Sequence, residues 1–180
     1  MLRLDGPALR GASAAILLSL AACASQVTRP PEPADAVREP VRALSSFKVV
    51  MSPQAHEQLA DNLKFDIDTL RAKVGLALES RNLVAKDGDF ELTVVVDEIR
   101  VRGTFSAVMF GFMAGDDHLY GTATLHRGDK PIGSFGVKTS WALGGLAGGQ
   151  DDARLSWLYE EFAKQLAGEL VARREAGPAK

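Results

Sequence analysis

The chain has 180 residues, one cysteine, 46% hydrophobic residues, 24% charged residues and a formal net charge of −2. This length fits one domain, and a lone cysteine excludes an internal disulfide and a cysteine-based zinc site. The mildly acidic balance argues against nucleic acid as a partner, because neutralising phosphates requires a basic face.

The first 22 residues have the layout of a bacterial export signal. Arg3 and Arg10 supply positive charge, and residues 11–22 then form an uncharged run with an apolar centre. The run is too short to cross a bilayer, which takes roughly 20 apolar residues. It fits the apolar region of a secretory signal peptide, so we expect residues 1–22 to be removed.

The run ends in Leu20, Ala21, Ala22 and Cys23, which resembles the lipobox of bacterial lipoproteins. The resemblance implies that the signal peptidase recognises the first three residues and cleaves before Cys23. It also implies a diacylglycerol thioether on Cys23 and a fatty acid, such as palmitate, on the new amino terminus. Several acyl chains together anchor a protein stably. The alternatives are an ordinary signal peptide with a chance cysteine, or a buried N-terminal helix.

The two residues after the cysteine indicate the membrane to which the lipoprotein is sent. Ala24 and Ser25 resemble the pattern of lipoproteins that are sent to the outer membrane. Removal of residues 1–22 leaves 158 residues, and the net charge falls to −3 because two arginines and one aspartate are lost. We therefore expect a mature lipoprotein at the outer membrane, facing the periplasm.

Residues 23–45 have the composition of a tether. They contain four of the chain's eight prolines and few aliphatic residues. Such segments prefer extended polyproline-type conformations, at about 3.1 Å per residue. We expect a lipidated, proline-rich tether over 23–45, a single domain over 46–176 and a short tail over 177–180. An irregular arm packed on the domain is the alternative.

The domain is predicted to open with a short strand over 47–51, followed by a helix. Ser52 is a good cap and Pro53 suits the first helical position, where no amide donor is needed. Asn82 can close the helix in a left-handed conformation. One apolar stripe spans this helix: Leu59, Leu63, Ile67, Leu70, Val74 and Leu78.

Three strands are predicted next. Apolar residues alternate from Phe90 to Val96, and the phase shifts at Asp97 and Glu98, which indicates a β-bulge. Strands over 119–127 and 132–143 form a hairpin around residues 128–131. The core face of its second strand comprises Phe135, Val137, Thr139, Trp141 and Leu143.

A last helix is predicted to start at Asp151 or Asp152 and to end before Gly177. Its buried stripe is Leu155, Leu158, Phe162, Leu166 and Leu170. Arg173 and Arg174 complement the helix dipole in the last turn. The order strand, helix, three strands, helix predicts an α+β fold with two helices packed on one mainly antiparallel sheet.

Two glycine-rich segments interrupt this pattern, at residues 103–117 and 141–150. The first is too apolar for a solvated loop. It is a strand extension over the core, a membrane contact, or a partner-docking surface whose candidate residues are Phe105, Phe110, Phe112 and Met113. The second lacks the Lys-Ser/Thr of a phosphate-binding loop, which favours a simple connection over a nucleotide site.

A family resemblance follows from these segments. The apolar residues 110–115 precede a glycine- and threonine-containing strand at 120–125, and Gly-Gly-x-x-Gly-Gly at 144–149 precedes the last helix. Together with the lipobox, this resembles the bacterial lipoprotein family catalogued as domain of unknown function 4410, over residues 47–173. The resemblance implies an envelope location and an α+β domain, and it implies no activity.

The sequence offers no catalytic constellation, metal site or cofactor motif. His56, His118 and His126 are predicted to lie in separate elements, and the cluster Asp116, Asp117 and His118 is predicted to be a solvated turn that enters a strand. We therefore expect a non-catalytic module whose partners are the membrane, through the lipid, and an envelope protein. The alternatives are a module that holds a lipid or glycan fragment between the sheet and residues 103–117, and, third, an enzyme.

Overall fold

The computed structural model describes residues 23–30, 41–102, 115–142 and 151–176. The strands within these ranges are β1 (Cys23–Thr28), β2 (Leu44–Met51), β3 (Phe90–Arg100), β4 (Asp117–Arg127) and β5 (Lys130–Trp141). The helices are α1 (Pro53–Gln58), α2 (Ile67–Glu79) and α3 (Asp151–Glu175), and a 3-10 turn, Leu59–Asp61, follows α1.

The five strands form one sheet in the order β1-β5-β4-β3-β2. The β2–β3 pair is parallel, because α1 and α2 carry the chain back along the sheet between them, and the other three pairs are antiparallel. Helices α2 and α3 pack against each other and against the sheet. The predicted α+β fold with a mainly antiparallel sheet is confirmed.

The predicted apolar faces build the core between the sheet and these two helices. Phe90, Leu92, Val94 and Val96 are buried, as is the whole predicted stripe of the last helix. The register of β3 against β4 shifts between Val96 and Glu98, which is the predicted bulge. In β5, Phe135, Val137 and Thr139 are buried and Trp141 is half-buried, while Leu143 lies outside the described residues.

The predicted single helix after Ser52 is wrong, because the chain breaks between α1 and α2. Ser52 caps α1 as predicted, its hydroxyl oxygen accepting from Ala55 N at 3.1 Å. Asn62 leaves the helical conformation, and Leu63 is 88% exposed although its spacing fits the apolar stripe. Asp66 then starts a new helix by accepting hydrogen bonds from two amides of its first turn. Asn82 adopts the predicted left-handed conformation, with φ +52°.

The N-terminal part of the expected tether differs from a free linker. Residues 23–28 form β1, which pairs with β5 at the edge of the sheet. Val27 packs against the core, and Val41 and Leu44, also assigned to the tether, are buried within it. Apolar burial therefore extends the folded body to both sides of residues 31–40, which lie outside the described ranges along with the tail 177–180.

Candidate functional site

A cluster of buried charges lies at the end of the sheet where β4 and α3 begin and where β3 and β5 end. We call Arg102, Asp117, Asp151 and Arg154 the Asp117 cluster. Asp117 is the first residue of β4, Arg102 follows β3, and Arg154 lies in the first turn of α3. Asp117 and Arg154 are fully buried, and the side chain of Arg102 is 3% exposed.

The carboxylate of Asp117 is engaged by both arginines. Its Oδ1 accepts from Arg102 N at 2.7 Å and from Arg102 Nε at 3.0 Å. Its Oδ2 accepts from Arg102 Nη2 at 3.2 Å and lies 2.9 Å from Arg154 Nε. Charges of opposite sign must compensate one another in such a buried site. The carboxylate of Asp117 therefore ties the start of β4 to the residue after β3 and to the first turn of α3.

The same cluster joins the ends of the two glycine-rich segments. Arg102 Nη1 donates to Gly115 O at 2.6 Å, and its Nη2 donates to Trp141 O at 3.1 Å. Arg154 Nη2 donates to Arg102 O at 2.6 Å and to Asp151 Oδ1 at 2.8 Å. The described residues that flank both segments are therefore held by one set of ionic contacts and hydrogen bonds.

Three buried donor atoms at this end make no hydrogen bond within the described part of the chain. They are Trp141 Nε1, Arg154 Nη1 and Arg154 Nε, although Arg154 Nε has an ionic contact with Asp117 Oδ2 at 2.9 Å. Residues 103–114 and 143–150 lie outside the described residues. The candidate docking residues Phe105, Phe110, Phe112 and Met113 belong to the first of these segments, so their role stays a prediction.

The predicted solvated turn at residues 116–118 is wrong for two of its three residues. Asp117 is buried in the cluster, and His118 is 7% exposed and lies beside Glu98. His118 Nε2 lies 3.0 Å from Glu98 Oε1, and its Nδ1 lies 3.4 Å from Asp116 Oδ1. Burial works against ionisation of Asp116, but the charge of His118 and its hydrogen bonds outweigh burial and lower the pKa of Asp116.

The three histidines do not converge. His56 lies in α1, whereas His118 and His126 lie at opposite ends of β4 and thus share one element, contrary to the sequence prediction. Across the ranges that the structure describes, no group of three histidine, cysteine or carboxylate side chains could hold a metal ion.

A surface depression of about 440 Å³ lies between α1 and the end of β3. Its floor is organised by Asn62, whose Oδ1 accepts from Val101 N at 2.7 Å and whose Nδ2 donates to Ile99 O at 3.3 Å. Gln58 Oε1 accepts from Ile99 N at 2.7 Å. Because β2 ends at Met51, these two amide side chains take the place of a neighbouring strand and satisfy the open backbone of β3.

The predicted anchor residue starts the first strand. The backbone of Cys23 opposes that of Trp141 in the sheet. The predicted peptidase recognition residues Leu20, Ala21 and Ala22 lie outside the described residues. Among the described helices, none is both long enough and apolar enough to cross a membrane.

No protein-family model matches this chain, and no curated protein matches it. The resemblance to the lipoprotein family of unknown function 4410 therefore stays a prediction, based on the glycine pattern and the lipobox.

Solved structures with a similar arrangement include a PelC dodecamer from Paraburkholderia phytofirmans. It has 15% sequence identity and a TM-score of 0.41, over 81% of this chain and 97% of that one. A Xanthomonas campestris protein of the family DUF330 has 15% identity and a TM-score of 0.42, over 81% and 90%. A minor lipoprotein from Acinetobacter baumannii has 10% identity and a TM-score of 0.36, over 77% and 98%. At these identities and TM-scores the likenesses establish neither a family nor a function for this chain.

Proposed function

We propose that this protein is a lipoprotein of the outer membrane that faces the periplasm and acts as a non-catalytic binding or accessory module for an envelope component. The observation that carries the proposal is the lipobox-like end of an apolar run at Leu20 to Cys23, whose last residue is the first residue of β1. Cleavage before Cys23 leaves β1 whole, so processing and folding are compatible.

The Asp117 cluster supports a binding role over a catalytic one. It uses buried charge to fix the described ends of two segments, and both oxygens of the Asp117 carboxylate are occupied by arginine contacts. The segment between Arg102 and Gly115 is rich in phenylalanine and methionine, which suits a contact surface, since such residues dominate the energetics of interfaces. We assign the partner contact to Phe105, Phe110, Phe112 and Met113.

Replacement of the lipid acceptor tests the anchor. Cys23→Ala should lose acyl labelling and leave the membrane fraction, because its sulfur is the only site for the diacylglycerol thioether. Gln26→Ala is the matched control, since Gln26 is an exposed residue of the same strand and should keep both properties. Persistent acyl labelling of Cys23→Ala would refute the lipobox assignment.

The destination has a separate test. Ala24→Asp should retain the lipoprotein in the inner membrane, since an aspartate after the lipidated cysteine favours that location in lipoproteins with this sorting pattern. Fractionation of the two membranes on a density gradient measures the shift. An unchanged outer-membrane fraction in Ala24→Asp would remove the sorting argument while leaving the lipid anchor intact.

The accessory role is tested by crosslinking in native membranes. A double variant, Phe110→Ser with Phe112→Ser, should lose the partner crosslink while keeping the melting temperature of the parent. Leu63→Ser is the control, because Leu63 is 88% exposed and lies on the helical side of the body. If the parent protein yields no crosslinked partner, the accessory role fails.

A ligand-binding lipoprotein is the second candidate. The depression beside Asn62 has a volume within the range of small-molecule sites, and its lining includes Asp61, Glu98 and Arg100, which suit a polar fragment such as a glycan. Native mass spectrometry of the mature domain separates the two candidates. A copurifying mass supports ligand binding, and a clean apo mass counts against it.

A further inference from the structure

The predicted lipid acceptor, Cys23, is itself a residue of the sheet, so no linker separates the two. Cys23 pairs with Trp141, and the pairing continues to Thr28 opposite Gly136. Trp141 also pairs with Asp117 on its other side, so the backbone of Cys23 lies at the end of the sheet that carries the Asp117 cluster. We call this end of the sheet, together with the first turns of α3, the Trp141 end.

Side-chain contacts hold β1 against α3. The hydroxyl of Ser25 donates to Glu161 Oε1 at 2.8 Å. Just beyond the strand, Arg29 donates to both carboxylate oxygens of Glu169, at 2.8 and 2.6 Å. A free tether of some 20 residues would let the body move tens of Å from a bilayer, at about 3.1 Å per extended residue. A docked β1 removes that freedom.

The Trp141 end carries aromatic residues that suit a membrane–water interface. Trp141 and Trp157 form an edge-to-face pair with ring centroids 5.0 Å apart, and both side chains are half-buried. They are the only two tryptophans of the chain. Tryptophan is enriched at the level of lipid headgroups, and both residues of this pair remain partly exposed, although Trp141 Nε1 itself is buried.

The charges at the same end are compensated. Lys64 Nζ lies 3.4 Å from Asp151 Oδ2 and 3.2 Å from Asp152 Oδ1. Asp151 is also paired with Arg154. The two aspartates at the start of α3 therefore present little net repulsion to anionic headgroups.

From these observations we infer that the Trp141 end faces the bilayer, with Trp141 and Trp157 at the level of the lipid headgroups. The inference rests on the proposed lipidation of Cys23 and specifies how the anchored body is oriented. The β4–β5 turn then points into the periplasm. Helix α3 runs from the membrane side towards that turn, over about 37 Å for its 25 residues.

Tryptophan emission tests this orientation directly, since both tryptophans lie at the proposed membrane side. The acylated protein, isolated from native membranes, is reconstituted into vesicles of phosphatidylethanolamine and phosphatidylglycerol that carry bromine near the headgroup end of the acyl chains. We expect strong loss of emission relative to unbrominated vesicles. Cys23→Ala mixed with the same vesicles should show no loss.

A distal reporter provides the matched control. Lys130 is exposed at the far end of the sheet, so Lys130→Trp in a chain with Trp141→Phe and Trp157→Phe should keep its emission in brominated vesicles. Melting curves establish that this variant is folded. Should it not fold, the native protein and Cys23→Ala still decide the question.

The outcomes of this experiment distinguish the proposed orientation from the proposed lipid anchor. Unchanged emission of an acylated protein in brominated vesicles overturns the orientation and leaves the lipid anchor standing. Quenching of the Lys130→Trp reporter as strong as that of the native tryptophans also overturns the orientation. A purified protein whose mass shows no acyl chain on Cys23 overturns the proposed function and this inference together.

Discussion

Arg154 Nε lies 2.9 Å from Asp117 Oδ2, and neither side chain has access to solvent. Transfer of both charges into the interior is unfavourable, and their attraction offsets that penalty only while both partners are present. Arg102 adds a second guanidinium to the same carboxylate. Asp117 is therefore the carboxylate that both buried guanidiniums share.

Asp117→Asn should lower the free energy of unfolding by about 3–5 kcal/mol, because both buried guanidiniums lose the carboxylate that they share. Urea denaturation followed by circular dichroism measures the loss. Asp87→Asn is the control, since Asp87 lies in an exposed turn and should change stability by less than about 0.5 kcal/mol. Equal midpoints for the two variants would contradict the structural role of the cluster.

Gly121 and Gly168 form a second test of packing. A Cβ at Gly121 would lie 2.7 Å from Val95 O and 3.1 Å from the Phe162 ring, whereas a Cβ at Gly168 would meet nothing within 4 Å. Gly121→Ala should destabilise the fold by about 1–3 kcal/mol through overpacking between β4 and α3. Gly168→Ala should stabilise it by about 0.5–1 kcal/mol, because alanine is the better helix former.

Thermal unfolding of the two variants measures both effects. The chemical change, glycine to alanine, is the same at the two positions. The melting temperature should fall for Gly121→Ala and rise for Gly168→Ala. A Gly121→Ala variant as stable as the parent would show that β4 and α3 are not in the close contact described here.

The sequence predicted the elements whose burial follows a simple period. Alternation from Phe90 to Val96 and the spacing of Leu155, Phe162 and Leu166 gave the right faces, because solvent lies on one side of each element and the core on the other. The bulge was visible as a change of phase at Asp97. These signals are local, so they can be recognised without knowing which other elements each segment contacts.

The features that the sequence did not predict depend on contacts between residues that are distant in the chain. β1 has a weak apolar pattern, and its pairing with β5 is made across more than a hundred residues. From the sequence alone, Arg154 would be assigned to the exposed face of a helix, because no local pattern shows that Asp117 lies against it. Leu63 continues a helical spacing, yet Asn62 leaves the helix to bond the edge of β3, so tertiary hydrogen bonds override the local pattern.

Asn62→Ala should lower the free energy of unfolding by about 1–3 kcal/mol, because Val101 N loses its buried acceptor. Gln54→Ala is the control in the neighbouring helix, where Gln54 is exposed. Amide hydrogen exchange gives a more local readout. Exchange at Val101 should accelerate in Asn62→Ala and remain slow in Gln54→Ala, and equal protection in both variants would refute the capping role.

The ion pair between Arg29 and Glu169 makes the docking of β1 sensitive to acid. Burial raises the pKa of Glu169, but hydrogen bonds and charges from Arg29 and Arg173 outweigh it and hold the pKa below its ordinary value of 4.5. A carboxyl group whose pKa is lowered on folding stabilises the folded state above its unfolded pKa. That stability is lost as the pH falls below 4.5 and through the folded pKa.

Arg29→Gln removes the cation that comes from the β1 side of this contact. It should lower the free energy of unfolding near neutral pH, and the difference from the parent should shrink as the pH falls below 4.5, where protonated Glu169 no longer pairs with Arg29 in either protein. Arg42→Gln, at an exposed position, should show no such convergence. Urea titrations across this range measure both differences. A gap between Arg29→Gln and the parent that stays constant into acid would show that Glu169 does not hold β1 through its charge.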